Sequence, residues 1–181
     1  MYEPSEDSFL IAEEIKKEIK KLIKINPDLS FLEIGCGKGI LIETALDSGV
    51  KKENILGIDI NPEAVEYCRK KGFRVIQSDL FSELKKDTIK KFDIIVFNPP
   101  YLPLDENEPI ESRKETTGGK KGSELINRFL KQSKKYLNKE GKILLLTSSL
   151  TKGINWNGYK KKKISEKKLF FERLIVWKIE Q

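Results

Sequence analysis

Apolar residues recur at helical spacing between Ser5 and Ile25, with Ile11 and Ile15 on one face. This pattern predicts an amphipathic helix near the start of the chain. The Asn26–Pro27 pair predicts its end, because proline lacks the N–H group that would continue the helix. The segment 1–28 is therefore expected to cap the rest of the protein.

Short apolar runs then alternate with helical stretches. The predicted strands cover Leu29–Ile34, Asn54–Asp59, Phe73–Gln77, Phe92–Phe97 and Lys142–Thr147. The predicted helices cover Gly39–Ser48, Pro62–Lys71 and Ser123–Leu137. Repeated strand–helix alternation is typical of a parallel sheet with helices on both faces, because its crossovers are right-handed.

The end of the chain has a different pattern. Lys160–Lys168 and Phe171–Ile179 read as two strands joined by a short turn, which predicts an antiparallel hairpin at one edge of the sheet. Only the short stretch Leu150–Gly158 precedes the hairpin, whereas a parallel crossover needs a dozen or more residues. We expect a single turn or an irregular link there, covering the sheet face thinly. No linker divides the chain, so residues 1–181 are predicted to form one α/β domain.

The composition restricts the chemistry. The chain has no histidine, which excludes Ser-His-Asp and Cys-His catalysis. Cys36 and Cys68 are its only cysteines, so neither a disulfide framework nor a zinc cluster is expected, and no metal site is predicted. No apolar run reaches the length of a membrane span, so we expect a cytoplasmic protein without membrane contact. The net charge of +7 favours acidic partners such as nucleic acid, or else reflects a heat-adapted surface rich in lysine and glutamate.

The segment FLEIGCGKG, Phe31 to Gly39, ends the first predicted strand and starts a helix. Glycines at 35, 37 and 39 allow a tight turn whose N–H groups approach a ligand. The third glycine comes one residue earlier than in dinucleotide-binding turns, and Glu33 would repel a pyrophosphate. This carboxylate suits the ammonium group of an amino-acid-like ligand; alternatively, the turn only serves packing.

Two more carboxylates follow predicted strands. Asp59 ends the second strand, where a carboxylate can accept both ribose hydroxyls of an adenosine. Asp79 ends the third strand, where it could accept the adenine amino proton while Leu80 covers the ring. Each carboxylate alone could instead cap a helix or a turn. With the glycine turn and the hairpin, these positions resemble the class I S-adenosylmethionine-dependent methyltransferases, whose seventh strand inserts beside the fifth. The resemblance implies a seven-stranded, mostly parallel Rossmann-like sheet.

The segment NPPY, Asn98 to Tyr101, follows the fourth predicted strand. Each proline disfavours the helical region for the residue before it, so this segment should leave the sheet extended. The Asn98 side-chain oxygen and the Pro99 carbonyl can then both accept from one ligand NH₂ group. The lone pair of that nitrogen would point towards the methyl group on the sulfonium of S-adenosylmethionine. Tyr101 can stack on the flat face of that group. An ordinary proline-rich turn is the alternative.

NPPY resembles the N-methyltransferases that act on planar amino groups. The opening YEPSEDSFL, also readable as a helix start capped by Ser5, and the segment GGKKGSELINRFL after NPPY resemble the HemK-like release-factor glutamine N5-methyltransferases of archaea and eukaryotes. The resemblance implies S-adenosylmethionine as cofactor, S-adenosylhomocysteine as product, and the Gly-Gly-Gln loop of a class I peptide chain release factor as substrate. It also implies a small zinc-binding activator protein at the edge strand Phe73–Gln77.

The patterns and the resemblance together give the expected site. Expected cofactor contacts are Ser8, Glu33, Gly35, Gly37, Gly39, Asp59, Ile60, Asp79, Leu80 and Asn98. Expected catalytic residues are Asn98, Pro99 and Tyr101, and Pro100 joins them in binding the substrate. The loop Pro103–Gly119 is expected to gate the site, and its acidic residues either meet a basic substrate or are simply solvated: Asp105, Glu106, Glu108 and Glu111.

Two other functions stay open at this point. A nucleic-acid adenine N6-methyltransferase would fit NPPY and the basic charge, but the chain leaves little room for a strand-gripping surface. In that interpretation Lys160–Lys163 would grip the nucleic-acid strand; otherwise they form a solvated strand edge. A non-enzymatic binding module is the third possibility.

Overall fold

The computed structural model describes residues 5–84, 91–106, 109, 113 and 116–181. The helices are α1 (Glu6–Leu22), α2 (Ile40–Asp47), α3 (Pro62–Lys70) and α4 (Glu124–Ser133), with a 3-10 turn at Lys52–Asn54. The strands are β1 (Phe31–Ile34), β2 (Ile55–Asp59), β3 (Val75–Gln77), β4 (Phe92–Phe97), β5 (Leu137–Ser148), β6 (Lys160–Lys168) and β7 (Arg173–Glu180).

The seven strands form one sheet in the order β3-β2-β1-β4-β5-β7-β6. Strands β1 to β5 pair in parallel, and β7 pairs antiparallel with both β5 and β6. The mostly parallel sheet and the antiparallel C-terminal hairpin are confirmed. The insertion of the seventh strand beside the fifth is confirmed too, and it leaves β3 and β6 as the two edges.

Each face of the sheet carries its own apolar cluster. On one face, Ile15 of α1, Leu41 of α2 and Cys68 of α3 pack against the inward side chains of the strands. On the other, α4 contributes Ile126 and Phe129, both fully buried. Burying a large apolar side chain stabilises the fold by about 1.5–3 kcal/mol, so both helical layers hold the sheet. Helices on both faces were predicted correctly.

The boundary between α4 and β5 was predicted wrongly. The apolar spacing indicated a helix to Leu137 and a strand only from Lys142, but Leu137 already pairs with Phe92 of β4. Its side chain is fully buried in the sheet cluster. A register shift between Phe92 and Ile94 lets β5 begin that early, and such an irregularity leaves no mark in the apolar pattern.

The link Leu150–Gly158 contains no helix, as predicted. In place of a helix, half-buried aromatic side chains contribute to the cover of the sheet face there. The ring of Trp156 lies 5.1 Å from that of Trp177, and the buried Tyr159 shares a hydrogen bond of 2.8 Å with Ser133. No helix in the described part of the chain is both long and apolar enough to cross a bilayer.

Candidate active site

A cavity of about 750 Å³ lies at the carboxyl ends of the parallel strands. This is where ligands bind in open parallel sheets. Twelve of the thirteen sequence-predicted site residues line it: Ser8, Glu33, Gly35, Gly37, Asp59, Ile60, Asp79, Leu80, Asn98, Pro99, Pro100 and Tyr101. The fold therefore brings together residues from α1, four strand ends and the NPPY segment.

Gly39 is the exception and does not line the cavity. It precedes α2 with a φ of 79°, and a Cβ there would lie 3.0 Å from the Phe73 ring and 3.1 Å from the Cys68 sulfur. Its conformation and its tight surroundings give Gly39 a role in the turn and in packing.

The glycine turn is fixed by the strand beside it. The N–H groups of Gly35 and Cys36 both donate to the Ile58 carbonyl, at 2.7 and 3.0 Å. Gly37 has a φ of 48°, and a Cβ there would meet no atom of the described residues within 4 Å. The turn thus exposes open backbone at Gly37 to the cavity.

Asp59 holds this turn in place. Its Oδ2 accepts from the Gly37 N–H at 2.8 Å, and its Oδ1 accepts from the Asn61 N–H at 2.9 Å. Only 8% of the residue is exposed. Each carboxylate oxygen has a second lone pair, so Asp59 can bind a ligand hydroxyl while it orders the backbone.

Glu33 is only partly satisfied, because a backbone hydrogen bond from Ile42 reaches its carboxylate but leaves one oxygen over. The residue is 2% exposed, and its Oε2 is buried without a hydrogen-bond partner among the described residues. Burial raises the pKa of Glu33 well above its ordinary value, and the nearby Cys68 and Asp59 side chains raise it further. A cationic group in the cavity would supply the missing partner.

Asp79 pairs with a residue that the sequence patterns did not single out. Its Oδ2 accepts from the Arg128 Nη2 of α4 at 2.6 Å, and both side chains are about half exposed. Arg128 also lines the cavity. Since 49 residues separate the two, only the packing of α4 on the sheet brings them together.

Leu80 and Ile60 give this end of the cavity its apolar surface. Leu80 is buried in a left-handed conformation with a φ of 51°, and its carbonyl accepts from the Ser78 hydroxyl at 3.0 Å. A leucine in that conformation costs about 1–3 kcal/mol, and such strain is concentrated at ligand sites. Ile60 is 66% exposed, although it lines the same cavity.

Asn98 directly follows β4, and its side-chain amide is oriented by a second residue that sequence reasoning missed. Its Nδ2 donates to the Asp7 Oδ2 at 3.2 Å, while its Oδ1 is buried without a partner among the described residues. Asp7 is 4% exposed and lines the cavity, although it was not among the site residues expected from the sequence.

The backbone after Asn98 is braced from two sides. The Tyr101 carbonyl accepts from the Thr151 hydroxyl at 2.8 Å, and Leu102 exchanges backbone hydrogen bonds with Thr116 and Gly118. A side chain at Gly118 would collide with the Pro100 carbonyl, so this glycine allows the two segments to approach. Of the predicted gate Pro103–Gly119, Glu108 and Glu111 lie outside the described residues.

Comparison with known proteins gives the same picture. Residues 25–174 match the family model described as a methyltransferase domain. A putative protein N5-glutamine methyltransferase of Methanocaldococcus jannaschii is 39% identical over 160 residues, covering 83% of this chain and 74% of that protein. The eRF1 methyltransferase catalytic subunit of Schizosaccharomyces pombe is 30% identical over 165 residues, covering 78% of this chain and 69% of its own length.

Among solved structures, TrmN from Thermus thermophilus superposes with a TM-score of 0.62 at 16% identity, over 92% of this chain and 48% of that one. This likeness concerns the fold alone. The matched family model and the two relatives, together with the cavity at the strand ends, show that the chain belongs to the methyltransferases, among the protein N5-glutamine methyltransferases.

Proposed function

We propose that this methyltransferase modifies the side-chain amide nitrogen of a glutamine in the Gly-Gly-Gln loop of a class I peptide chain release factor. Its cofactor is S-adenosylmethionine. The main support is the Oδ1 of Asn98, which is buried at the cavity without a partner in the described part of the chain and is an acceptor that needs an N–H donor. The S. pombe relative, named for release factor eRF1, points to the same class of substrate. A cytoplasmic location, where translation ends, goes with this proposal.

At the acceptor end, two oxygens hold one NH₂ group. Asn98 Oδ1 accepts one amide hydrogen and the Pro99 carbonyl accepts the other, while the Tyr101 ring lies against the flat face. The consecutive prolines fix the backbone, so the grip exists before the substrate arrives. This arrangement favours a nitrogen whose lone pair points at the methyl group.

At the donor end, side chains hold the cofactor. Bound S-adenosylmethionine supplies a methyl group on a cationic sulfur: the nitrogen lone pair forms the new N–C bond, the C–S electrons stay on sulfur, and one nitrogen proton passes to water. Glu33 pairs with the ammonium group and Asp59 with the ribose hydroxyls. The other proposed contacts are Ser8 at the methionine end, the backbone of Gly35 and Gly37, and Ile60, Asp79 and Leu80 around adenine.

We also propose that a small zinc-binding activator protein covers the β3 edge, within Phe73–Gln77. At that edge Ile76 is half-buried and Gln77 is exposed, and an uncovered edge strand is a template for another chain. The Arg69 guanidinium already donates to the Val75 carbonyl, through Nε at 3.0 Å and Nη2 at 2.8 Å. The partner would therefore displace Arg69 or use the remaining backbone groups.

Co-expression tests the partner. The Ile76→Lys variant should lose the activator on co-purification, whereas Lys162→Glu on the opposite edge strand β6 should retain it. An isolated chain that is stable, fully active and captures no activator would refute this part.

A labelling experiment tests the substrate. The protein is incubated with methyl-labelled S-adenosylmethionine and release factor, a release factor with its loop glutamine changed to alanine, DNA, or buffer. We expect label only in the unchanged release factor. Label in DNA would favour the adenine N6-methyltransferase instead, and no label in any arm would favour a binding module.

A further inference from the structure

Asp7 and Asn98 are 91 residues apart in the chain, yet they meet inside the cavity. Asp7 lies in the first turn of α1, and both its backbone and its side chain are held there. Its Oδ1 accepts from the Ser8 N–H at 2.6 Å and from the Ser5 hydroxyl at 3.0 Å. These bonds direct the other oxygen, Oδ2, at the Asn98 amide.

The contact determines which way the Asn98 amide points. An ionised carboxylate only accepts hydrogen bonds, so the NH₂ end of Asn98 has to face Asp7. The amide oxygen then lies on the other side, where it is buried without a partner among the described residues. Rotating the amide by 180° would present its NH₂ to the cavity and set its oxygen against a carboxylate oxygen.

We infer that Asp7 is a positioning residue for methyl transfer: it holds the Asn98 amide so that Oδ1 faces the incoming NH₂ group. This inference rests on the proposed function, because only an N–H donor in the acceptor slot requires that orientation. A flipped Asn98 would set its own NH₂ group against the NH₂ group of the substrate. The substrate nitrogen would then be pushed away from the methyl group that it is to receive. Misplacing reacting groups by about 1 Å costs on the order of 100-fold in rate.

A purely structural role for Asp7 makes different predictions. Asp7 also complements the dipole of α1, and its loss would then lower stability without a specific effect on Asn98. Glu6 offers a matched control, since it is an acidic residue in the same turn that pairs with Lys167 on the surface.

The kinetic experiment uses Asp7→Asn, which keeps the shape of the side chain but can present an NH₂ group to Asn98. We expect the single-turnover rate on release factor to fall by about 10- to 100-fold, with the affinity for S-adenosylmethionine changed less than about 3-fold. Glu6→Gln should keep the wild-type rate. A rate for Asp7→Asn within about 2-fold of wild type, on an acceptor that wild type methylates, would overturn the inference and leave the proposed function standing.

A spectroscopic experiment needs neither an acceptor nor a folded variant of Asp7. The side-chain NH₂ signals of Asn98, assigned by their loss in Asn98→Ala, should show one proton protected from exchange in the wild-type protein. Asp7→Asn, if folded, should remove that protection and leave the backbone signals of α1 in place. Rapid exchange of both Asn98 protons in wild type would contradict the inference, even if no methyl acceptor were found.

Discussion

Two regions of one cavity treat their polar groups in opposite ways. The region that we call the outer end contains Asp59, which accepts two backbone N–H groups, and Asp79, which pairs with Arg128. The region that we call the inner end contains Glu33 and Asn98, each of which buries an oxygen without a partner among the described residues. An unpaired buried polar atom costs about 1–3 kcal/mol, so the inner end is the part of the site whose stability depends on ligands. The carboxylates of Asp59 and Asp79, by contrast, already have partners within the protein.

The largest effect is expected at Asn98. Asn98→Ala removes the side-chain half of the proposed two-oxygen grip, and loss of one preorganised hydrogen-bonding group costs about 10²–10³ in rate. Transfer should become undetectable or nearly so in a single-turnover assay, while S-adenosylmethionine binds within a few fold of wild type. Unchanged turnover would remove Asn98 from the mechanism.

Glu33→Gln should mainly change cofactor binding. Losing a charge-assisted hydrogen bond costs about 1.5–3 kcal/mol, which corresponds to roughly 10- to 100-fold in affinity. Because burial raises the pKa of Glu33, wild type should bind the cofactor more tightly as the pH rises through that raised pKa. Calorimetry at several pH values should show this slope in wild type and a flat profile in Glu33→Gln; parallel slopes would assign the titration to another group.

The same substitution has a predictable sign for stability. The folded protein holds the Glu33 proton more tightly than the unfolded chain, so stability falls as the pH rises from the unfolded pKa to the folded one. Without cofactor, Glu33→Gln should therefore melt at a higher temperature than wild type at neutral pH. The difference between the two melting temperatures should shrink as the pH falls towards the pKa of Glu33 in the unfolded chain. If Glu33→Gln instead melted at a lower temperature than wild type at neutral pH, the charged form of Glu33 would be stabilised by a partner.

Asp59→Asn should affect stability as well as binding. An asparagine offers one oxygen where the structure uses two, so either Gly37 or Asn61 loses the acceptor of its N–H. We expect about 1–3 kcal/mol lower stability in urea unfolding, with weaker cofactor binding. Full stability with weakened binding would mean that Asp59 does not order the glycine turn.

Arg128→Ala should have the smallest effect. Its ion pair with Asp79 is about half exposed on both sides, and such pairs contribute less than about 1 kcal/mol. Stability should stay within that range and the cofactor affinity within about 3-fold of wild type. A larger loss of affinity would assign Arg128 a direct contact with the ligand.

The sequence was most informative where local pattern decides structure. The bounds of β4 and β6 were predicted as the structure has them, and the apolar run of β4 ends sharply at Asn98. Glu33, Asp59 and Asp79 lie at or just after the ends of predicted strands. Because the carboxyl ends of parallel strands lie along one edge of the sheet, their meeting could be predicted from the sequence.

What the sequence left open depends on distant packing. The contacts of Asp7 with Asn98 and of Arg128 with Asp79 join residues far apart in the chain, and neither pair carries a spacing that marks it. Gly39 was expected at the ligand but does not line the cavity, because a glycine that packs against Phe73 looks the same in the sequence as one that approaches a ligand. Aromatic packing in the link at Trp156 was likewise invisible to a pattern of short helices and strands.

The most direct measurement is a crystal structure of the protein with S-adenosylhomocysteine and a peptide that contains Gly-Gly-Gln. We expect the glutamine side-chain nitrogen at about 3 Å from Asn98 Oδ1, with the Asn98 NH₂ still donating to Asp7. A glutamine bound elsewhere, or an Asn98 oxygen turned towards Asp7, would contradict it.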